Sequence, residues 1–264
     1  MGQRAMCLIG IAFDASHEYS LVLAANRDER HARPAAAAGW WDGAGVLAGR
    51  DLEAGGTWLG VDPRGRAAAV ANYSEIPRAA EPRSRGALVT DFLRGNERAD
   101  EFEAALGPGW REAYAGFNLV LFDGVRLHYL SNRAPARALG RGIHAFGNAP
   151  PAADWPKMRR ARAGLAAWLA AAGRAVALLD LLAEGARTAG PTAHTESLFI
   201  RGPEFGTRCS TVLLVRRDGT ASFIERRFDA GGRETGESTC EFTVQAKSAG
   251  HRTAHPADAG SATR

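Results

Sequence analysis

The stretch MGQRAMCLIG places a second methionine, Met6, directly before a cysteine. If translation begins at Met6 and the initiator is removed, Cys7 becomes the N-terminal residue. It then carries a thiol and a free α-amine on one carbon, and can supply both nucleophile and base for cleaving an amide or thioester. If residues 1–6 stay as an extension, the nitrogen of Cys7 is a peptide nitrogen and the base is lost. A packing role stands beside this chemical one. Cys7 opens the apolar run Cys7-Leu8-Ile9-Gly10-Ile11-Ala12-Phe13, and free cysteines are among the most buried residue types.

Four further stretches carry residue types that could assist such a nucleophile. In AANRDER (24–30), Asn26-Arg27-Asp28-Glu29 follows an apolar strand at once. It reads as a solvated turn or as a charged cluster that activates a thiol, because a nearby arginine favours the thiolate. In GGTWLGVDPRGRAAAVANY (55–73), Trp58 starts a strand, Asp62-Pro63-Arg64-Gly65 forms a hairpin turn, and Asn72 ends the next strand. Asparagine supplies neutral donors suited to an oxyanion and is also a common turn residue. HAFGNAPP (144–151) puts Asn148 at another strand end, and FGTRCSTVLLV (205–215) puts Arg208 ahead of a buried-strand run.

These residues need a scaffold. The chain has 264 residues, 45% of them hydrophobic, enough for one large domain with a sizeable core. The formal charge is +4 and the pI about 9.3. Acids and bases are interspersed, so the excess of cations does not point to nucleic acid, and Arg159-Arg160-Ala161-Arg162 reads as a solvated helix face. Only two of the basic residues are lysines, Lys157 and Lys247. Cys7, Cys209 and Cys240 are widely spaced, against a disulfide framework or structural zinc. With no secretory h-region and no apolar stretch long enough to span a bilayer, the expectation is a cytoplasmic protein without a membrane span.

Apolar runs and turn residues predict strands near 7–13, 20–25, 57–61, 67–72, 117–122, 126–131, 142–146, 210–216 and 220–228. Helices are predicted near 85–94, 97–106, 156–172 and 176–186, the third burying Leu165, Trp168 and Leu169. From about Gly231 the texture becomes Gly/Ser/Thr/Glu-rich and reads as a flexible tail, 231–264. Strands around paired helices indicate α+β, with sheets covered by helices.

Taken in order, "MC", "ANRDE", "GGTWLG", "GFNL", "SNR", "GNAP…WPK" and "GTRCSTVLLV" resemble the NRDE family, also called the Transport and Golgi organisation protein 2 family, from Met6 to about Phe228. That family has been linked to haem mobilisation, to lipid and acyl-CoA metabolism and to Golgi organisation. More distantly, the layout is similar to the N-terminal-nucleophile cysteine hydrolases of the choloylglycine hydrolase and penicillin acylase type. The resemblance implies a four-layer αββα sandwich of two mainly antiparallel sheets over 7–230. It implies catalytic roles for Cys7, Asp28, Asn72, Asn148 and Arg208, with Asn26, Arg27, Glu29 and Trp58 at the substrate. That group has an arginine three residues before the aspartate. Here Ala25 holds that position, and Arg27 adjoins Asp28 instead.

Two further functions stand beside acyl transfer. One is a non-catalytic carrier whose cavity holds haem or an acyl lipid, with His17, His31, His128, His144 and His194 as candidate axial ligands. The other is an interaction protein in membrane traffic. Neither requires a resident cofactor or metal. The partner is a small acyl substrate or haem, and no oligomeric state is implied.

Overall fold

The computed structural model describes residues 7–73, 82–184, 187–188 and 193–245. In chain order its elements are β1 (Leu8–Phe13), β2 (Tyr19–Arg30), β3 (Ala35–Trp41), β4 (Val46–Asp51), β5 (Leu59–Val61), β6 (Ala67–Asn72), α1 (Arg85–Arg94), α2 (Phe102–Ala105), α3 (Trp110–Ala113), β7 (Phe117–Phe122), β8 (Leu127–Ser131), β9 (Arg137–Leu139), β10 (Gly142–Phe146), α4 (Pro156–Ala170), α5 (Ala175–Ala183), β11 (Arg187–Thr188), α6 (Ala193–Glu196), β12 (Ile200–Arg201), β13 (Phe205–Arg216), β14 (Thr220–Phe228) and β15 (Glu234–Thr243).

A six-stranded sheet has the order β10-β1-β2-β13-β14-β15, and a seven-stranded sheet runs β3 through β9 in sequence order. All pairings within both are antiparallel. Strand alternation sorts the side chains into layers. Ile9, Ile11, Leu21, Leu23 and Leu213 meet Leu47, Leu59, Ala69, Val120 and Phe122 between the sheets. Val22, Ala24, Val212 and Leu214 face Met158, Leu165, Trp168 and Leu178 of α4 and α5. Val46, Ala68, Leu119 and Leu121 face Leu88, Phe92, Phe102 and Trp110 of α1–α3. The architecture is α+β, with four layers in the order helix, sheet, sheet, helix. Strands buried on both faces read as unbroken apolar runs, which is why β1, β7 and most of β13 were visible in the sequence.

The helix expected over 156–172 forms with Pro156 in its first turn, a favoured place for proline. Leu165 and Trp168 are buried, and Leu169 packs partly buried against the same cluster.

Four expectations need correction. Residues 26–30 are not a turn; β2 continues through them between β1 and β13. Residues 35–51 form an unforeseen hairpin, β3–β4, whose Ala- and Gly-rich strands carry little β-propensity. The helix expected over 97–106 shrinks to α2, a single turn. The tail does not begin at 231. Residues 234–243 are edge strand β15, paired along β14, with Cys240 and Phe242 packed on the inter-sheet core. Its charges face outward, which blunts an exposed edge. Residues 1–6 and 246–264 lie outside the described residues.

Candidate active site

Cys7 sits at the head of β1. The β1–β2 register pairs Leu8 with Asn26, and the β1–β10 register pairs Ile9 with Phe146. Continued by one and two positions, these registers set Cys7 level with Arg27 on one side and Asn148 on the other. Its side chain shares the inter-sheet face with Ile9 and Ile11 and is 8% exposed. Burial, followed by the charge of Asp28, pushes the thiol up to about 11, while a hydrogen bond from the Asp28 backbone to the sulfur and the charge of Arg27 pull the other way.

Alternation along β2 divides the NRDE stretch. Asn26 and Asp28 fall on the helix-facing side, Arg27 and Glu29 on the inter-sheet side. The Asn26 amide donates to Leu182 O and Leu198 O at 2.9 and 2.7 Å and its Oδ1 accepts from Ser210 Oγ at 2.6 Å. Asn26 is therefore a buried clasp between β2, α5 and the approach to β12. It does not line the cavity, which corrects its assignment to substrate binding. Asp28 is also buried and accepts from Thr207 Oγ1 at 2.6 Å. Burial raises its carboxyl to about 6, opposed by Lys157 and by the Thr207 hydroxyl.

A cavity of about 270 Å³ opens beside Cys7, reached by Arg27, Asp28, Glu29, Trp58 and Asn72. Arg27 is 5% exposed and stacks on Trp58, its Cζ 4.2 Å from the ring centroid. Its Nη2 donates to Asp51 at 3.2 Å; among the described residues, Nη1 has no hydrogen-bond partner. Asn72, at the end of β6, approaches from the opposite sheet. Arg83, Arg85 and the N-terminus of α1 form the far wall. A tight backbone contact sets α1 there: a Cβ on Gly56 would lie 2.5 Å from the Gly86 carbonyl carbon. This is what the double glycine of GGTWLG provides.

Two predicted catalytic residues lie outside this cavity. Asn148 is fully buried behind it, level with Cys7. Arg208, at a bulge in β13, donates from Nη1 to the carbonyls of Arg30, His31 and Arg33 at 2.9–3.0 Å. It lines an adjoining cavity of about 90 Å³ that shares Arg27 and Trp58 with the first. The expectation of one cavity for all five catalytic residues is corrected accordingly: three share it. His17, His31, His128 and His144 do not line it; His31 and His144 bond the carbonyls of Gly202 and Gly140. The side chain of His194 lies outside the described residues. No group of His, Cys, Asp and Glu suited to a metal ion occurs among the described residues.

Sequence reasoning missed two residues. Asn118 donates from Nδ2 to Gly147 O and Ala149 O at 2.7 and 2.9 Å and accepts from the Tyr129 hydroxyl, gripping the loop that carries Asn148. Its signal was the asparagine inside an apolar strand in GFNL. Lys157 is fully buried in the first turn of α4. Its signal was the scarcity of lysine in this chain.

The sequence model of the family described as Transport and Golgi organisation 2 matches residues 6–230. The chain belongs to this family. Among its relatives in the Transport and Golgi organisation 2 family, the Bos taurus homologue is 33% identical, covering 91% of this chain and 100% of that protein. The Homo sapiens homologue is 32% identical with the same coverage. The Drosophila melanogaster protein is 28% identical, covering 83% of this chain and 91% of its own. A solved structure of the Caenorhabditis elegans N-acylethanolamine-hydrolyzing acid amidase ortholog aligns with a TM-score of 0.47 and 12% identity, over 79% of this chain and 92% of that one. Among the described residues, no helix is long and apolar enough to cross a membrane.

Proposed function

We propose that this member of the family is a cysteine acyl-transfer enzyme of the N-terminal-nucleophile kind, acting on an acyl amide or thioester as hydrolase or acyltransferase. The supporting observation is the placement of Cys7. It heads a central strand at a cavity wall, with a backbone N–H on its sulfur, Arg27 level with it and Asn72 on the facing sheet. While residues precede Cys7, its buried thiol is almost entirely protonated at neutral pH. With Cys7 first in the chain, its α-amine takes the thiol proton, and the thiolate attacks the carbonyl carbon. The carbonyl π pair moves to oxygen, where Asn72 donates from the cavity wall; one such donor is typically worth about 2.7–4 kcal/mol of barrier. The tetrahedral adduct collapses, the leaving amine or thiolate takes the proton from the α-ammonium, and water or an amine then releases the acyl group from sulfur.

The test is mass spectrometry of the acyl adduct formed with a reactive thioester or amide. Protein beginning at Cys7 should form it. Cys7→Ala should abolish it, Cys7→Ser should weaken it greatly, and retaining residues 1–6 should suppress it. No adduct and no turnover on amides, thioesters and lactones from the cysteine-first form would replace this reading with a non-covalent carrier of haem or acyl lipid.

A further inference from the structure

An ammonium taken wholly out of water costs several kcal/mol unless an anion accompanies it. Lys157 is such a group, 0% exposed at the second position of α4. The charges acting on it are those of Asp28 and Cys7, both favouring its protonated form against burial. The backbone explains how they meet. A Cβ placed on Gly147 would lie 3.5 Å from the carbonyl oxygen of Cys7 and 3.6 Å from Cε of Lys157. The lysine stem therefore passes close to the backbone of Cys7 across a residue with no side chain. Its Nζ also lies 5.7 Å from the centroid of Trp155. Asn118 holds Gly147 from one side, and Thr207 holds Asp28 from the other.

Consider the field at the sulfur. Asp28 and Glu29 oppose a thiolate, while Arg27 and the Asp28 N–H favour it. Arg27 is engaged by Asp51 and stacked on Trp58. Lys157 is the cation that acts on the Asp28 carboxylate, the stronger of the two charges opposing the thiolate.

Building on the acyl-transfer reading, we infer that Lys157 is a positioning residue whose buried ammonium neutralises Asp28 and so permits Cys7 to ionise. In the ionisation the S–H bond breaks, its electron pair stays on Sγ, and the proton leaves to the α-amine or, where that nitrogen is a peptide, to solvent. Lys157 itself takes no proton.

The experiment follows alkylation of Cys7 by iodoacetamide from pH 6 to 11 on the full chain, with peptide mass separating Cys7 from Cys209 and Cys240. Lys157→Met should slow alkylation at pH 8 about tenfold, a shift of about one unit in the thiol titration. Lys157→Arg, which keeps the charge, should return the profile toward wild type. Because Lys157→Met leaves Asp28 buried and alone, the double variant Asp28→Asn/Lys157→Met is compared with Asp28→Asn as well. Replacing both members of a buried pair is far better tolerated than removing one. A slower, upward-shifted profile for Lys157→Met against wild type, shrinking when Asp28 is already Asn, supports the inference. Superimposed profiles of wild type and folded Lys157→Met overturn it, since a purely structural lysine would alter melting and not the thiol titration. So does a shift for the double variant against Asp28→Asn as large as about one unit, which would mean that the lysine acts without Asp28. The readout needs no turnover. A lysine-dependent profile without any acyl adduct would sink the enzyme reading alone, and an adduct with a lysine-independent profile would sink this inference alone.

Discussion

Two cavities of nearly equal size occupy opposite ends of the sheet sandwich. One, about 270 Å³, lies beside Cys7; the other, about 280 Å³, lies between Arg64, Phe122, Val215, Arg216, Arg217 and Val244. The β2–β13 register separates them, with Tyr19 opposite Arg216 at one end and Arg30 opposite Phe205 at the other. Arginines edge both. At the second end, the side chains of Arg217 and Arg64 are 45% and 29% exposed, paired with Asp14 and Asp62. At the first, Arg27 and Asp28 are 5% and 2% exposed, beside a buried thiol. What separates the two ends is the water left on the cations: Arg27 is buried, whereas Arg64 and Arg217 are part-exposed. Unit charges 4 Å apart interact by about 1 kcal/mol in water and about 4 kcal/mol in the partly screened environment of a protein. At the Cys7 end a cation, a carboxylate and a thiol are buried together, so each charge acts strongly on its neighbours.

That contrast can be broken in order of size. Arg27→Met removes a buried cation from Asp51 and Trp58. The loss should be about 3 kcal/mol of unfolding free energy, read from urea denaturation. A loss below about 1 kcal/mol would make the cavity end no more demanding than the exposed one.

The next effect is pH-dependent. The Asp28 carboxyl is held at about 6 against an ordinary 3.8, so the folded protein binds this proton more tightly than the unfolded chain. The resulting stability is fully present below about pH 4 and is lost as pH rises through about 6. Asp28→Asn, neutral throughout, should flatten the urea midpoint across that window relative to wild type. A wild-type curve and a variant curve that stay parallel would mean Asp28 titrates normally.

The smallest effect is expected at the other end. Arg217→Ala should leave the urea midpoint unchanged, because its ion pair lies at the surface. A shift matching that of Arg27→Met would erase the distinction.

Legibility followed the same line between local and distant. Strands buried on both faces were readable from apolar runs alone, as in Phe117–Phe122. β15 was missed because Glu234–Thr243 carries its inward residues, Ser238, Cys240 and Phe242, singly between polar ones. Period-two alternation was present there, but it was outweighed by a Gly/Ser/Thr/Glu composition. In the site, Cys7, Asp28 and Asn72 could be nominated from residue type and strand-end position. The division of labour within NRDE could not. Asn26 and Arg27 are adjacent and equally polar, yet one clasps Leu182 and Leu198 under the helices and the other walls the cavity.

By itself the sequence determined where the doubly buried strands and the longer helices lie, that a cysteine stands at the head of an apolar strand, and which asparagines and arginines border strand ends. Those are consequences of local periodicity and turn chemistry. Tertiary structure alone decided that Lys157 and Asp28 share one buried space behind Cys7, that Arg208 is engaged by the β2–β3 turn, and that Asn118 holds the Asn148 loop. The physical reason is that burial, and with it the strength of every charge and hydrogen bond at this site, depends on partners distant in the chain, as in the 172 residues between Asn26 and Leu198.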